Sequence, residues 1–208
     1  MTGTAPIVIW SRHRMQRDGQ GVTTLVCFHG CTLRCKYCLN PFTLSPETKC
    51  QHLTPEQLYE KVKCDDLYYV ATGGGVTFGG GEPLLYPDFL QAFRQLCGDR
   101  WHLCAETALN VPWENVRKAA RCIDVFYIDC KDVNPDTYRS YTGADNGRML
   151  ENLEKLTKQI GPERIVVRVP LIPGYNTPED QQRAISRLSG MGLTNFDVFT
   201  YVTDRTKA

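Results

Sequence analysis

Apolar positions along the chain fall in short β-branched or aromatic runs, separated by stretches with helical spacing. The runs Val22–Phe28, Val76–Phe78, Trp101–Glu106, Val125–Asp129, Ile165–Ile172 and Phe196–Tyr201 predict strands. Start signals between them predict helices. Thr54-Pro55-Glu56-Gln57 supplies an N-cap threonine, a proline at the first helical position and a glutamine placed to complete a capping box, with Leu53 set to staple onto Leu58. Thr177-Pro178-Glu179-Asp180 repeats the cap-then-proline start. Helical spacing also covers Pro87–Cys97, Pro112–Cys122 and Arg148–Ile160, the last stopped by Gly161.

Strands alternating with helices predict an α/β fold on a parallel sheet, since each parallel pair needs a crossover. Right-handed crossovers would curl such a run into an open partial (β/α)6 barrel, or lay it out as a doubly wound sheet. In both, ligands sit at the C-terminal ends of the strands. No repeat, low-complexity run or linker divides residues 1–208, so one domain is expected, with an N-terminal segment over 1–20 and the core over 22–201. Val202–Ala208 is too short for another helix, so the last helix of such a barrel is expected to be absent or cut away.

Charge narrows the partners. With 24 Lys and Arg against 23 Asp and Glu, the net charge is +1, which gives no reason to expect nucleic acid or an acidic membrane. No apolar run approaches the length of a membrane span, and Met1-Thr2-Gly3-Thr4-Ala5-Pro6 lacks the basic-then-apolar order of an export signal. A cytoplasmic protein is expected. In that reducing setting the 10 cysteines point to metal, redox chemistry or burial rather than to disulfides.

Three cysteines stand apart. Cys31, Cys35 and Cys38 follow the first predicted strand with the spacing Cys-x3-Cys-x2-Cys. Three thiolates in one tight loop suit an iron–sulfur cubane that keeps one iron free for an exogenous ligand. The alternatives are a zinc site completed by Cys27 or His29, or three cysteines that are simply buried. A second feature is the glycine run Gly73-Gly74-Gly75-Val76-Thr77-Phe78-Gly79-Gly80-Gly81-Glu82-Pro83, which is either a ligand-hugging turn or a flexible one. It lacks the lysine and hydroxyl of a phosphate loop. Acidic residues end two strands, Glu106-Thr107 and Asp129-Cys130-Lys131, where they face a ligand mouth or form surface salt bridges. Arg168 ends up on the fifth predicted strand with the same two readings.

The triplet, with Tyr37 just before its third cysteine, resembles the cluster loop of the radical S-adenosylmethionine (radical SAM) superfamily. The resemblance implies a [4Fe-4S] cluster on Cys31, Cys35 and Cys38, with SAM chelated at the open iron. Asp18-Gly19-Gln20-Gly21-Val22-Thr23-Thr24, Phe28-His29-Gly30-Cys31 and Cys38-Leu39-Asn40-Pro41 are similar to the start of the activating enzymes of glycyl radical enzymes, the pyruvate formate-lyase activase group. Gly80-Gly81-Glu82 matches that superfamily's glycine-glycine-glutamate motif, implied to bind the SAM amino group, although Gly79 stands where a serine is common. By the same resemblance Thr107, Asp129, Lys131 and Arg168 line the SAM site, and a monovalent cation sits near Glu106 and Asp129. Glu106 is a longer carboxylate than the aspartate that pattern carries. Val111-Pro112-Trp113-Glu114, Tyr141-Thr142-Gly143, Leu150-Glu151-Asn152-Leu153 and Arg168-Val169-Pro170-Leu171-Ile172-Pro173-Gly174-Tyr175 continue the likeness in order. At the last strand Tyr201-Val202 replaces a Tyr-His pair, which removes an implied ribose contact.

The implied activity is reductive cleavage of SAM to a 5′-deoxyadenosyl radical, which takes hydrogen from a glycine of a partner glycyl radical enzyme. Reduced flavodoxin or ferredoxin is the implied electron donor, under anaerobic conditions. The interval between triplet and glycine run holds only Cys50 and Cys64, too few for a ferredoxin-like insert. Cys27, Cys97, Cys104, Cys122 and Cys130 lie on strand or helix patterns and read as core. A radical SAM enzyme with another peptide or small-molecule substrate, and a non-catalytic metal-binding scaffold, are the alternative readings.

Overall fold

The computed structural model describes residues 3–16 and 18–202. The chain forms two compact units, one of Met1–Cys31, Asn40–Thr107 and Val111–Phe126, the other of Thr32–Leu39, Ala108–Asn110 and Tyr127–Ala208. Most of Val202–Ala208, where a final helix was expected to be absent, lies outside the described residues.

The first unit carries strands β1 (Ala5–Met15), β2 (Val22–Phe28), β3 (Gln51–Leu53), β4 (Gly75–Gly80) and β5 (His102–Thr107), in the order β3-β1-β2-β4-β5. β2, β4 and β5 are parallel, with Thr23 opposite Gly75 and Phe28 opposite Gly80, and Gly75 opposite His102. β1 runs antiparallel to both β2 and β3. Helices α1 (Pro55–Val62), α2 (Asp66–Thr72), α3 (Pro87–Cys97) and α4 (Trp113–Ala119) complete the unit. The predicted capping box forms: Gln57 N donates to Thr54 Oγ1 at 3.2 Å and Thr54 N to Gln57 Oε1 at 2.9 Å. Phe28, Phe78, Phe93 and Trp101 are fully buried in its core, with Phe78 edge-on to Phe93 at 5.4 Å between centroids.

β1, β3 and α2 were not expected from the sequence. In β1 the polar stretch Ser11-Arg12-His13-Arg14 interrupts the apolar run, and the pairing with β2 slips there. α2 reads Asp-Leu-Tyr-Tyr-Val-Ala-Thr, a strand-like composition. It turns helical because Gly73 caps it in a left-handed conformation (φ +67°) and Tyr69 is buried with its hydroxyl 2.5 Å from Thr24 Oγ1.

Strand β6 (Val125–Asp129) begins in the first unit, where Asp124 N donates to Leu103 O at 2.8 Å, and ends in the second, where Cys130 N donates to Arg168 O at 3.1 Å. The second unit adds β7 (Ile165–Leu171) and β8 (Phe196–Thr200), parallel with Val167 opposite Phe196 and Leu171 opposite Thr200. Its helices are α5 (Pro135–Thr142), α6 (Gly147–Ile160) and α7 (Pro178–Gly190). Thr177 caps α7 with the expected box to Asp180. The unexpected helix α5 has its own start and stop. Asn134 Oδ1 accepts from Asp136 N at 2.9 Å, Pro135 opens the helix, and Gly143 closes it at φ +76°. Met149, Leu153, Leu156, Val167 and Leu188 form the core of this unit. The alternation of parallel strands with helices is therefore present, extended by an antiparallel N-terminal pair.

Candidate functional site

In the first unit the glycine run ends at the C-terminal end of β4. Gly80 takes φ +82°, and a Cβ there would stand 2.6 Å from Cys27 Cβ. A Cβ on Gly81 would stand 2.1 Å from Gly30 O. The chain is this close because Gly81 N donates to Phe28 O at 3.0 Å and Glu82 N to Gly30 O at 2.8 Å, lashing the glycine turn to the end of β2. The buried Glu82 carboxylate accepts from Leu84 N at 3.1 Å and from Thr107 Oγ1 at 2.7 Å. Glu82 and Thr107, separate in the sequence reading, thus share one hydrogen bond.

The same unit explains two departures from the expected pattern together. A Cβ on Gly79 would lie 2.8 Å from Glu106 Oε2. The longer carboxylate at 106 fills the space a serine at 79 would need, so the short residue and the long one form a matched pair.

In the second unit the cysteine loop is held by α5. Arg34 N donates to Thr142 O at 2.8 Å and Lys36 N to Tyr141 O at 3.1 Å, so Cys35 is bracketed by bonds to the last turn of that helix. Tyr37 donates to Pro173 O at 3.2 Å, and its ring meets Tyr141 at 6.0 Å and Tyr175 at 5.7 Å. Burial pushes the Cys35 thiol up to about 11, against the pull of nearby Lys131.

Lys131 is buried, with Nζ 3.0 Å from Asp129 Oδ2 and donating to Tyr201 Oη at 2.9 Å. Arg168 lies 4.0 Å from Asp129 Oδ1 and 3.7 Å from Asp197 Oδ2, with its guanidinium 5.0 Å from the Tyr127 ring centre. Burial works against charge on Asp129, but Lys131 and Arg168 outweigh it and hold the carboxyl below its ordinary range. In return Asp129 keeps the buried Lys131 protonated. Asp129, Lys131 and Arg168 form one ion-paired group, the salt-bridge reading of these strand ends. Tyr201 joins this group through its hydroxyl, a partner that no motif marks in the sequence.

Cys31, Cys35 and Cys38 are half-buried. Among the described residues no group of three His, Cys, Asp or Glu side chains converges as a bound metal ion requires. The donor set nonetheless fits a cubane: three softly ligating thiols in eight residues, none tied up in a disulfide. Cys27, Cys97, Cys104, Cys122 and Cys130 are buried, as their patterns predict, whereas Cys64 is exposed.

These features have counterparts in known proteins. The profile of the radical SAM superfamily matches residues 25–188, and the chain belongs to that superfamily. Its α/β fold, a parallel sheet of the partial-barrel type, is the superfamily's, as are the [4Fe-4S] cluster and SAM on which its members depend. Within it the chain is a member of the activating enzymes. It is 33% identical over 172 residues to the pyruvate formate-lyase-activating enzyme of Clostridium pasteurianum, spanning 82% of this chain and 71% of that one. It is 26% identical over 245 residues to the isethionate sulfite-lyase activating enzyme of Oleidesulfovibrio alaskensis, spanning 88% and 79%. Among solved structures, Streptococcus suis SuiB bound to S-adenosylmethionine shares the fold with a TM-score of 0.64 at 16% identity, over 88% of this chain and 44% of that one. Among the described residues no helix is long and apolar enough to cross a membrane.

Proposed function

We propose that this chain activates a glycyl radical enzyme in the cytoplasm, using an electron from reduced flavodoxin or ferredoxin. The Cys31-x3-Cys35-x2-Cys38 triplet inside the matched segment carries this reading. In it, Cys31, Cys35 and Cys38 hold a [4Fe-4S] cluster. When bound, the cluster supplies the electron that splits SAM into methionine and a 5′-deoxyadenosyl radical, which takes hydrogen from a glycine of the partner.

The remaining roles follow from this chain's own groups. Gly80 and Gly81 let the turn lie directly against the end of β2, and Glu82, fixed by Leu84 and Thr107, presents a rigid backbone edge for the SAM amino group. Glu106 adds a carboxylate beside that edge. Asp129, Lys131 and Arg168 supply a paired charge set that orients the polar parts of SAM. Tyr37, locked between Tyr141 and Tyr175, shields the loop from water.

The test is anaerobic reconstitution with iron and sulfide, followed by dithionite and SAM. The wild type is expected to hold about four irons per chain and to release 5′-deoxyadenosine. Cys35→Ala is expected to lose both. Cleavage of SAM that persists in Cys35→Ala would refute the assignment.

A further inference from the structure

Lys131 carries more hydrogen-bond capacity than the protein uses. It follows β6, and its side chain is only 8% exposed. An ammonium has three N–H donors and no acceptor. Among the described residues it meets two acceptors, Asp129 Oδ2 at 3.0 Å and Tyr201 Oη at 2.9 Å. Buried donors without partners are uncommon and costly. A third N–H left over at this depth marks a place for an acceptor from outside the chain.

The direction of that third N–H depends on where Nζ is held. A lysine carries its ammonium on a flexible four-carbon stem. Asp129 as sole partner would leave Nζ free to swing on an arc around Oδ2. A second partner from another strand fixes it at a point. Tyr201 supplies one from the end of β8, and it is itself rigidly placed. Its N donates to Leu171 O at 2.9 Å, continuing the pairing with β7, and its ring lies 5.5 Å from Phe199, edge-on, and 6.4 Å from Tyr141. Arg168 of β7 lies 4.0 Å from Asp129 Oδ1. All of these residues belong to the second unit. The ends of β6, β7 and β8 thus converge on one ammonium, at the end of the sheet where ligands bind in such folds.

We propose that Tyr201 is a positioning residue: by accepting from Lys131 it aims the remaining Lys131 N–H at an oxygen of SAM, the carboxylate or a ribose hydroxyl. Both oxygens accept the same kind of bond. This inference rests on the proposed function, in which Lys131 lines the SAM site. Tyr201 makes no contact with SAM in it and acts only through Lys131.

The experiment measures SAM binding by titration calorimetry on holoenzyme reconstituted anaerobically with iron and sulfide. No reductant is added, so there is no turnover. Tyr201→Phe keeps the ring and removes the accepting oxygen. Its iron content is expected to match wild type, while its dissociation constant for SAM rises about tenfold, the scale of one hydrogen bond. In a Lys131→Met background, or Lys131→Gln where that variant does not fold, removing the Tyr201 hydroxyl is expected to cause no further loss, because the group it aims is gone. 5′-Methylthioadenosine keeps the ribose and lacks the carboxylate, so it tells the two oxygens apart. The loss in Tyr201→Phe persists with it where the acceptor is a ribose hydroxyl and vanishes where it is the carboxylate. An unchanged dissociation constant in Tyr201→Phe, or the same loss in both backgrounds, would overturn the inference and leave the proposed function standing. A wild-type holoenzyme that binds no SAM would sink that function first, and the inference with it.

Discussion

The glycine turn after β4 offers the sharpest test of how the first unit is built. In Gly81→Ala the new Cβ would sit 2.1 Å from Gly30 O and 2.8 Å from Phe28 O. Those carbonyls accept the two hydrogen bonds that hold the turn, from Glu82 N at 2.8 Å and Gly81 N at 3.0 Å. Backbone cannot swing aside as a side chain can, so relief of the clash breaks both bonds. Each donor left without a partner costs about 1–3 kcal/mol, for a total of roughly 2–6 kcal/mol. Domains are stable by only about 5–15 kcal/mol. At about 2–4 °C per kcal/mol for a chain of this size, the melting temperature should fall by roughly 4–24 °C.

Gly79→Ala is the matched control. Its Cβ would meet Glu106 Oε2 at 2.8 Å, the far end of a flexible side chain, and Leu25 Cδ1 at 3.3 Å. Rotation of Glu106 relieves the contact, at a cost under about 1 kcal/mol. Urea unfolding of the empty proteins, read at constant slope, gives both numbers. A Gly81→Ala midpoint equal to that of wild type, or a larger loss for Gly79→Ala, would refute the reasoning.

Two further outcomes follow from the same unit. Thr107→Val deletes the 2.7 Å bond to the buried Glu82 carboxylate and should cost about 1.5–3 kcal/mol in urea unfolding, with weaker SAM binding by calorimetry. Asp65, buried and gripped by Arg12 at 2.6 Å through both oxygens and by His13 at 2.9 Å, has its carboxyl held below the ordinary range chiefly by the Arg12 hydrogen bonds. Its stabilising contribution is thus complete above the ordinary carboxylate range and is lost as the pH falls through its lower folded value. The urea midpoints of wild type and Asp65→Asn should differ at pH 7 and converge on acidification.

Legibility in the sequence followed the range of the interactions. β2, β6 and α3 lie where local patterning places them, because an apolar run or a proline start decides each one. β1 and β3 escape such reading, since both are strands only by pairing with other segments: Ala5–Ile7 with Gln51–Leu53, and the irregular remainder of β1 with β2. Leu67, Tyr68 and Val70 of α2 look like strand residues and are exposed on a helix, where burial of Tyr69 overrides propensity. At the site, fixed-spacing motifs delivered the cysteines, the glycine turn and the strand-end charges. The Glu82–Thr107 bond and the Gly79–Glu106 fit depend on distant residues meeting, which no spacing rule contains.

The bonds from Arg34 and Lys36 to the end of α5 also carry a lesson about biogenesis. A nascent chain emerging from the ribosome presents its three cysteines long before residues 141–142 have been made. Closing so long a loop carries an entropic cost that local contacts cannot meet early. The thiols therefore leave the ribosome on an unshaped strand, open to stray oxidation, and gain their arrangement only when the second unit folds. On the proposed cluster assignment, iron delivery follows the synthesis of α5, and the cysteines have to stay reduced until then.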